Sequence, residues 1–379
     1  MKITEVKTYL MHAGRPDGSW QKRNWLFVKI VTDEGLYGVG EASGWPRVVQ
    51  TAIQDLTPLL IGEDPFHIEK LWQKLYLAMM GHGMTGIVGS GALTGIDMAL
   101  WDLKGKALNT PVWNLLGGKI RDHIWAYPHA HNAERALELV ERGFTALKIG
   151  GVKGVVGKVE AIRRAVGLDI DLMVDAHGPP WLTTRDAIRL GKALEDYDLL
   201  FYEDPVAPEH VESLARVAAS VELPIAAGER HAAIYGVREL IEREIIDVVQ
   251  PDTGRAGGLL QMKKIAALAE AHAITVAPHS GSLGPVAAYA CLHLLASLPN
   301  TLIMEHLEDD VPQRYEVVTP LPVIEAGHIL VPDAPGLGVD LVEEAIAKYP
   351  SRGNVSPPDP NEEPVYILAR TGRARWIQE

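Results

Sequence analysis

Leu172-Met-Val-Asp175, Leu200-Phe-Tyr-Glu203 and Pro224-Ile-Ala-Ala-Gly-Glu229 are three short apolar runs that each end on an acid, 28 and then 26 positions apart. Each interval holds one strand and one helix. The runs Ala146–Ile149, Asp247–Gln250, Ile274–Ala277 and Leu302–Met304 keep the same beat on either side. Helical patterns fall between the runs, at Ala133–Arg142, Val155–Val166, Thr184–Tyr197, Pro208–Ser220, Ile234–Glu242, Leu259–His272 and Pro285–Leu295. With Trp125–Tyr127 counted first, the alternation has eight strands. Regular β-α alternation means a parallel sheet, and eight units favour closure into a TIM-type barrel. An open doubly wound sheet is the competing reading, but no dinucleotide-binding fingerprint supports it.

Outside this region the pattern changes. Residues 1–120 read as a small α+β unit, with strands at Ile3–Met11, Trp25–Thr32 and Leu36–Glu41 and helices at Val48–Leu60, Pro65–Met79 and Leu93–Leu108. Two loops interrupt it: the polar Gly14–Asn24, and Met79–Gly91, whose glycines predict a mobile segment. Residues 121–320 form the expected barrel. Residues 321–379 become rich in proline and are expected to return over the first unit.

Composition narrows the function. The net charge of −13 argues against nucleic-acid or anionic-membrane partners, which need a basic face. A bound divalent cation could still recruit an anionic substrate. Cys291 is the single cysteine, so no internal disulfide is possible, and a reducing, cytoplasmic setting is expected. The N-terminus reads as a strand rather than a signal peptide, and no stretch is apolar enough to span a membrane. A homo-oligomer is the expected assembly.

Carboxylates at the ends of three successive strands converge on one mouth if the barrel closes. Asp175, Glu203 and Glu229 are therefore candidate oxygen ligands for a hard cation, Mg²⁺ with Mn²⁺ able to substitute. The competing reading, that strand-end acids cap the following helices, weakens when three stand in register. In Asp175-Ala-His177 the histidine shares a strand face with the acid and points to the same mouth. Asp252 and His279 end neighbouring strands, and a carboxylate on one imidazole nitrogen would make the other a general base. Glu305 ends the last strand. The glycines of Gly150–Gly157 follow a strand and open a helix but fail the phosphate-loop pattern, since Val152 and Val159 stand where Gly and Ser or Thr are needed.

Several motifs combine with these acids: Gly95-Ile-Asp-Met-Ala-Leu-Trp-Asp-Leu-Lys-Gly-Lys106, Pro111-Val-Trp-Asn-Leu-Leu-Gly-Gly118, Val174-Asp-Ala-His-Gly178, Glu203-Asp-Pro205, Ala227-Gly-Glu-Arg230, Gln250-Pro-Asp252, Ala256-Gly-Gly258, Ala277-Pro-His279, Leu283-Gly-Pro285 and Pro335-Gly-Leu-Gly338. Together they resemble the mandelate racemase subgroup of the enolase superfamily, and most closely its galactonate and related acid-sugar dehydratases. The resemblance implies an α+β capping domain on a modified (β/α)₇β barrel, and Mg²⁺ on Asp175, Glu203 and Glu229. It also implies His279 as base with Asp252 behind it, and His177 as general acid. The implied reaction removes the proton next to an acid-sugar carboxylate and expels the β-hydroxyl, giving a 2-keto-3-deoxy acid. Glu305 is then expected to hydrogen-bond the intermediate's carboxylate oxygens, and Lys148 to hold a substrate carboxylate oxygen. One departure stands out: Gly150 occupies the place where many subgroup members carry a second strand-two lysine, which weakens a racemase reading. Arg15, Arg23, Asn24, His82, His129 and His131 are the candidates for contacting the sugar. An epimerase or cycloisomerase of the same superfamily is the alternative activity, and a non-catalytic sugar-acid-binding protein the remaining one.

Overall fold

Gly38 and Gly40, alternate residues of one strand, explain how the N-terminal part packs. The structure, a computed structural model, describes residues 1–15, 23–80, 86–178 and 181–353. Strands β1 (Ile3–His12), β2 (Asn24–Thr32) and β3 (Tyr37–Ala42) form an antiparallel sheet in that order. Helices α1 (Pro46–Leu56), α2 (Ile68–Met80) and α3 (Ile87–Ala107) follow, and α3 is buried along most of its length. A Cβ at Gly38 would overlap the backbone of Ala99 and Leu103, and one at Gly40 the carbonyl oxygen of Gly95. Gly95 in turn faces Val28 and Ala42. The helix therefore meets the sheet at backbone distance, which only glycine permits.

This packing corrects the expected loop at Met79–Gly91. Residues from Ile87 onward are helical, Gly89 and Gly91 included; residues 81–85, with His82, lie outside the described residues. Each helical glycine costs up to roughly 1 kcal/mol, but at Gly91 and Gly95 the missing Cβ is what admits the neighbouring chain. Local propensity loses to tertiary packing here. Gly40→Ala should destabilise the fold by about 1–3 kcal/mol through overpacking. A denaturant midpoint equal to wild type would contradict the close approach.

Helix α4 (Val112–Leu115) leads into the barrel. Its strands are β4 (His123–Tyr127), β5 (Ala146–Gly150), β6 (Asp171–Asp175), β7 (Leu199–Glu203), β8 (Ile225–Ala227), β9 (Val248–Val249), β10 (Thr275–Val276) and β11 (Met304–Glu305). β5 to β10 run parallel in sequence order, and β11 pairs parallel with β4. Parallel bridges His129↔Lys148 and Val276↔Thr301 join the two groups, so the ring closes and the open doubly wound sheet is excluded. The outer helices are α5 (Ala133–Glu141), α6 (Val155–Val166), α7 (Thr184–Leu194), α8 (Val211–Ala218), α9 (Ala233–Glu242), α10 (Leu259–Ala271) and α11 (Pro285–Ser297). The last strand has no such helix after it, which is the (β/α)₇β pattern.

Period-two alternation turns one face of every strand to the barrel axis. Tyr127, Ala146, Met173, Phe201, Ala226, Val248, Ala277 and Ile303, one from or beside each strand, form a single buried cluster there. A hairpin of Ile324–Glu325 and His328–Leu330 then pairs with β4. Beyond it the chain runs back along the N-terminal unit, with Lys106 on Asp340 (2.8 Å), Lys29 on Glu343 (2.6 Å) and the His12 N–H on the Tyr349 carbonyl (2.9 Å). Among the described residues, no helix is long and apolar enough to cross a membrane.

Candidate active site

Two residues further along seven of the eight strands, the same inward face changes chemistry; on β8, Gly228 takes that place and Glu229 follows it. Ala146 gives way to Lys148, Met173 to Asp175, Phe201 to Glu203, Tyr127 to His129, Val248 to Gln250, Ala277 to His279 and Ile303 to Glu305. A charged layer thus sits on an apolar one at the C-terminal ends of the strands, where barrel active sites form.

Lys148 is the hub. Its side chain is 1% exposed, and its Nζ lies 3.4 Å from Asp175 Oδ2, 3.1 Å from Glu203 and 2.8 Å from Glu305 Oε1, above the Tyr127 ring. Burial alone would favour loss of its proton, but Glu203 and Glu305 outweigh that and hold its pKa well above the ordinary lysine value. Glu203 has the opposite problem: burial, reinforced by Asp175, pushes it well above the usual carboxylate range. Burial also works against the charge of Asp175, yet Lys148 and His177 overcome it and hold that acid below its ordinary value.

Glu305 is buried and accepts from the Ser280 N–H (2.7 Å) as well as meeting His129 Nε2 (2.6 Å) and Lys148. Burial opposes its charge, but Lys148, His279 and His129 outweigh burial and hold its pKa well below the ordinary carboxylate value. These contacts place Glu305 at the mouth, beside Lys148 and His129.

Across the ring, His279 Nδ1 lies 2.6 Å from Asp252 Oδ2. Asp252 is itself oriented by the Gly254 N–H (2.8 Å) and by Arg255 (3.4 Å). The carboxylate fixes the proton on Nδ1 and leaves Nε2 facing the mouth, 2.9 Å from Glu229 Oε2. Burial would lower the His279 pKa, but Glu229 and Glu305 raise it well above the ordinary value. Glu229 also pairs with Arg230 (2.6 Å), which reaches on to Asp204. His177 Nδ1 contacts Asp175 Oδ1 at 2.7 Å, and that hydrogen bond raises the imidazole's pKa. β6 and β10 stand half a turn apart in an eight-stranded ring, so His177 and His279 come from opposite sides of the mouth.

The three strand-end carboxylates are therefore at one mouth but each is held by cations of the protein itself. Among the described residues, no three acidic, histidine or cysteine side chains are gathered as the ligands of one ion. The donor set nevertheless suits a hard divalent cation. It consists of oxygens only, it carries an excess of buried negative charge, and next to it Gln250 Oε1 is a buried acceptor with no hydrogen-bond partner.

The candidate sugar-contacting residues divide. His129, His131 and Arg15 line a cavity of about 380 Å³ together with Arg135, Leu307, Glu308, Asp309 and Asp310. Arg23 and Asn24 are instead buried in structural contacts: Arg23 on Asp310 (2.8 Å), and Asn24 on the backbone of Arg352 (2.9 Å). Burial opposes the charge of Asp310, but Arg314 and Arg23 outweigh it and hold its pKa down to about 2. A depressed folded-state pKa stabilises the fold above the unfolded value of about 4, and that stability is lost as pH falls toward about 2. Asp310→Asn should therefore cost about 2 kcal/mol at pH 7 and flatten the acid limb of the stability profile. An unchanged limb would contradict the pairing.

Two partners of the site were not singled out from the sequence. Gln250 Nε2 donates to Glu203 (3.0 Å), and Asp204 anchors Arg230 from a left-handed backbone conformation (φ 42°). Gln250 was findable, since it stands two residues before Asp252 on the inward face. The turn that swings Asp204 back toward the mouth has no such signal.

Comparison with known proteins agrees with this architecture. Residues 5–117 match the N-terminal domain of the mandelate racemase / muconate lactonizing enzyme family, and residues 131–345 match the enolase C-terminal domain-like family. A D-galactonate dehydratase of Ralstonia nicotianae is 37% identical, over 99% of this chain and 100% of that one. The 3,6-anhydro-D-galactonate cycloisomerase of Zobellia galactanivorans superimposes with a TM-score of 0.85 at 35% identity, covering 92% of this chain and 99% of that one. A mandelate racemase/muconate lactonizing enzyme from Jannaschia sp. CCS1 gives 0.85 at 35% identity, covering 94% and 99%.

Proposed function

Because the chain belongs to the mandelate racemase / muconate lactonizing enzyme family of the enolase superfamily, we propose that it is a hydro-lyase that removes water from an aldonate or aldarate. The observation that carries this reading is the pair of histidines on opposite sides of one carboxylate-lined mouth, each fixed by its own acid.

Asp175, Glu203 and Glu229 would hold Mg²⁺ or Mn²⁺, which supplies electrostatic stabilisation of the negative charge that develops on the substrate carboxylate. With Glu229 engaged by the cation rather than by the imidazole, Nε2 of His279 is free of the charge that most raises its pKa; it takes the proton from C2, and Asp252 stabilises the imidazolium that results. His177 gives a proton to the departing 3-hydroxyl, which leaves as water. Its contact with Asp175 favours the protonated form that this step needs. The enol left behind takes a solvent proton at C3 and becomes the 2-keto-3-deoxy acid. Lys148 keeps the charges of Asp175, Glu203 and Glu305 in balance, while Glu305 holds Lys148 and the Ser280 N–H. His129, His131 and Arg15 line the space offered to the sugar chain. A positioned acid or base contributes roughly 10²–10⁴-fold, so both histidines together still leave a large share to electrostatics.

Gly150 supports elimination over a lysine–histidine racemisation. It pairs in register with Asp175 and has no side chain, so that position supplies no second base. Cycloisomerisation is the second reading, favoured by the likeness to the Zobellia enzyme. A screen of aldonates and aldarates with Mg²⁺, detecting 2-keto acids with semicarbazide, tests the proposal. At least one member should turn over, and an isomer formed without water loss would favour the second reading.

A further inference from the structure

Two buried acids of the N-terminal unit reach across to the barrel helices that follow His279 and Asp252. Glu41, on β3 and 1% exposed, accepts from the backbone N–H of Gly284 and of Ala287 (3.0 Å) at the start of α11. Asp97, on α3 and also 1% exposed, accepts from the Leu260 N–H (3.2 Å) in the first turn of α10. A helix start leaves several N–H groups without partners, and a carboxylate there satisfies them and complements the helix dipole. Neither helix supplies a side-chain cap of its own, because the cap residues are Gly258 and Gly284. Both glycines make room for the foreign acid. A Cβ at Gly258 would overlap Asp97, and one at Gly284 would lie 2.9 Å from Glu41 Oε1.

The same unit grips the loops that join the dyad to these helices. In residues 253–258, the Ser43 N–H bonds the Gly254 carbonyl (2.9 Å), Thr94 Oγ1 accepts from the Gly257 N–H (2.9 Å), and Trp72 Nε1 donates to the Gly257 carbonyl (2.8 Å). In residues 280–284, Trp25 Nε1 donates to the Ser282 carbonyl (3.2 Å). Burial pushes Glu41 up to about 7 and Asp97 up to about 8 against the pull of the helix N–H groups. Acids held at that cost are poor packing residues, and the backbone contacts they make account for their presence.

We propose that Glu41 and Asp97 are positioning residues: seated on the N-termini of α11 and α10, they fix the loops behind His279 and Asp252, so that the N-terminal unit sets the geometry of the dyad. The inference rests on the reading of His279 and Asp252 as the base dyad.

Asp102 provides the control. It is an equally buried acid of α3 that bonds the Val39 and Leu337 N–H groups (2.7 Å each), away from both loops. Glu41→Ala should lower kcat at least about tenfold with KM changed less than about threefold, since small misplacement of a reacting group costs rate rather than binding. Glu41→Gln, which keeps an acceptor oxygen, should recover most of the loss. Asp102→Ala, compared at equal folded fraction, should keep kcat within about threefold of wild type. Amide hydrogen exchange, read without substrate, should rise in residues 280–287 of Glu41→Ala and in residues 253–260 of Asp97→Ala. Wild-type kcat in Glu41→Ala, an equal loss in Asp102→Ala, or unchanged exchange at 280–287 would overturn the proposal. Should Glu41→Ala fail to fold, Asp97→Ala, read by kcat and by exchange in residues 253–260, carries the same comparison. If wild type turns over no acid sugar, the proposed function fails, while the exchange data still decide whether these acids hold the loops.

Discussion

His279→Asn should lose water elimination and also lose exchange of the substrate's C2 proton with solvent deuterium, a fall of roughly 10²–10⁴-fold or more. The asparagine preserves approximate shape but has no nitrogen that can accept a proton. His177→Asn should behave differently. Proton abstraction precedes departure of the hydroxyl, a poor leaving group, so the variant should lose keto-acid formation and keep measurable C2 exchange. Asp252→Asn should resemble His279→Asn in milder form, because the imidazole remains but the charge that fixes its tautomer is gone. Turnover near wild type in His177→Asn, or retained C2 exchange in His279→Asn, would contradict the assignment of roles.

Glu203→Gln should abolish turnover while the chain stays folded. A neutral amide is a poor substitute for a carboxylate toward Mg²⁺, whereas Lys148 would keep Asp175 and Glu305 as partners. The same substitution should remove the thermal stabilisation that added Mg²⁺ gives wild type, since a ligand stabilises only a fold that binds it. The melting curve reads the cation without reference to activity. Substantial turnover in EDTA, or an equal Mg²⁺-dependent shift in Glu203→Gln, would contradict the assignment of these carboxylates.

The barrel and most of its mouth were legible because strands have a period of two. Met173 and Asp175, or Phe201 and Glu203, announce both the face that turns inward and the level at which the interior becomes charged. Even β9, β10 and β11, only two residues long as paired strands, were found from their apolar runs and the acids or histidines that follow. The N-terminal unit was harder. The glycines of α3 look like a loop until Gly38 and Gly40 are placed against them, and that contact joins residues far apart in sequence. Arg23 and Asn24 looked like loop residues able to reach a substrate, but Asp310 and Arg352 hold them in the interior. Glu305 reads from the sequence only as the end of the last strand; its contacts with Lys148 and His129 come from other strands, which no local pattern records.

The central claim is that this mouth takes a proton from C2 of an acid sugar and expels the hydroxyl from C3. Proton NMR of the reaction in D₂O, on the best substrate from the screen, follows both atoms at once. The account predicts a 2-keto-3-deoxy acid carrying one deuterium at C3, formed by wild type and absent with His279→Asn. Deuterium appearing at C2 of an intact acid sugar, with no keto acid formed by wild type, would contradict it.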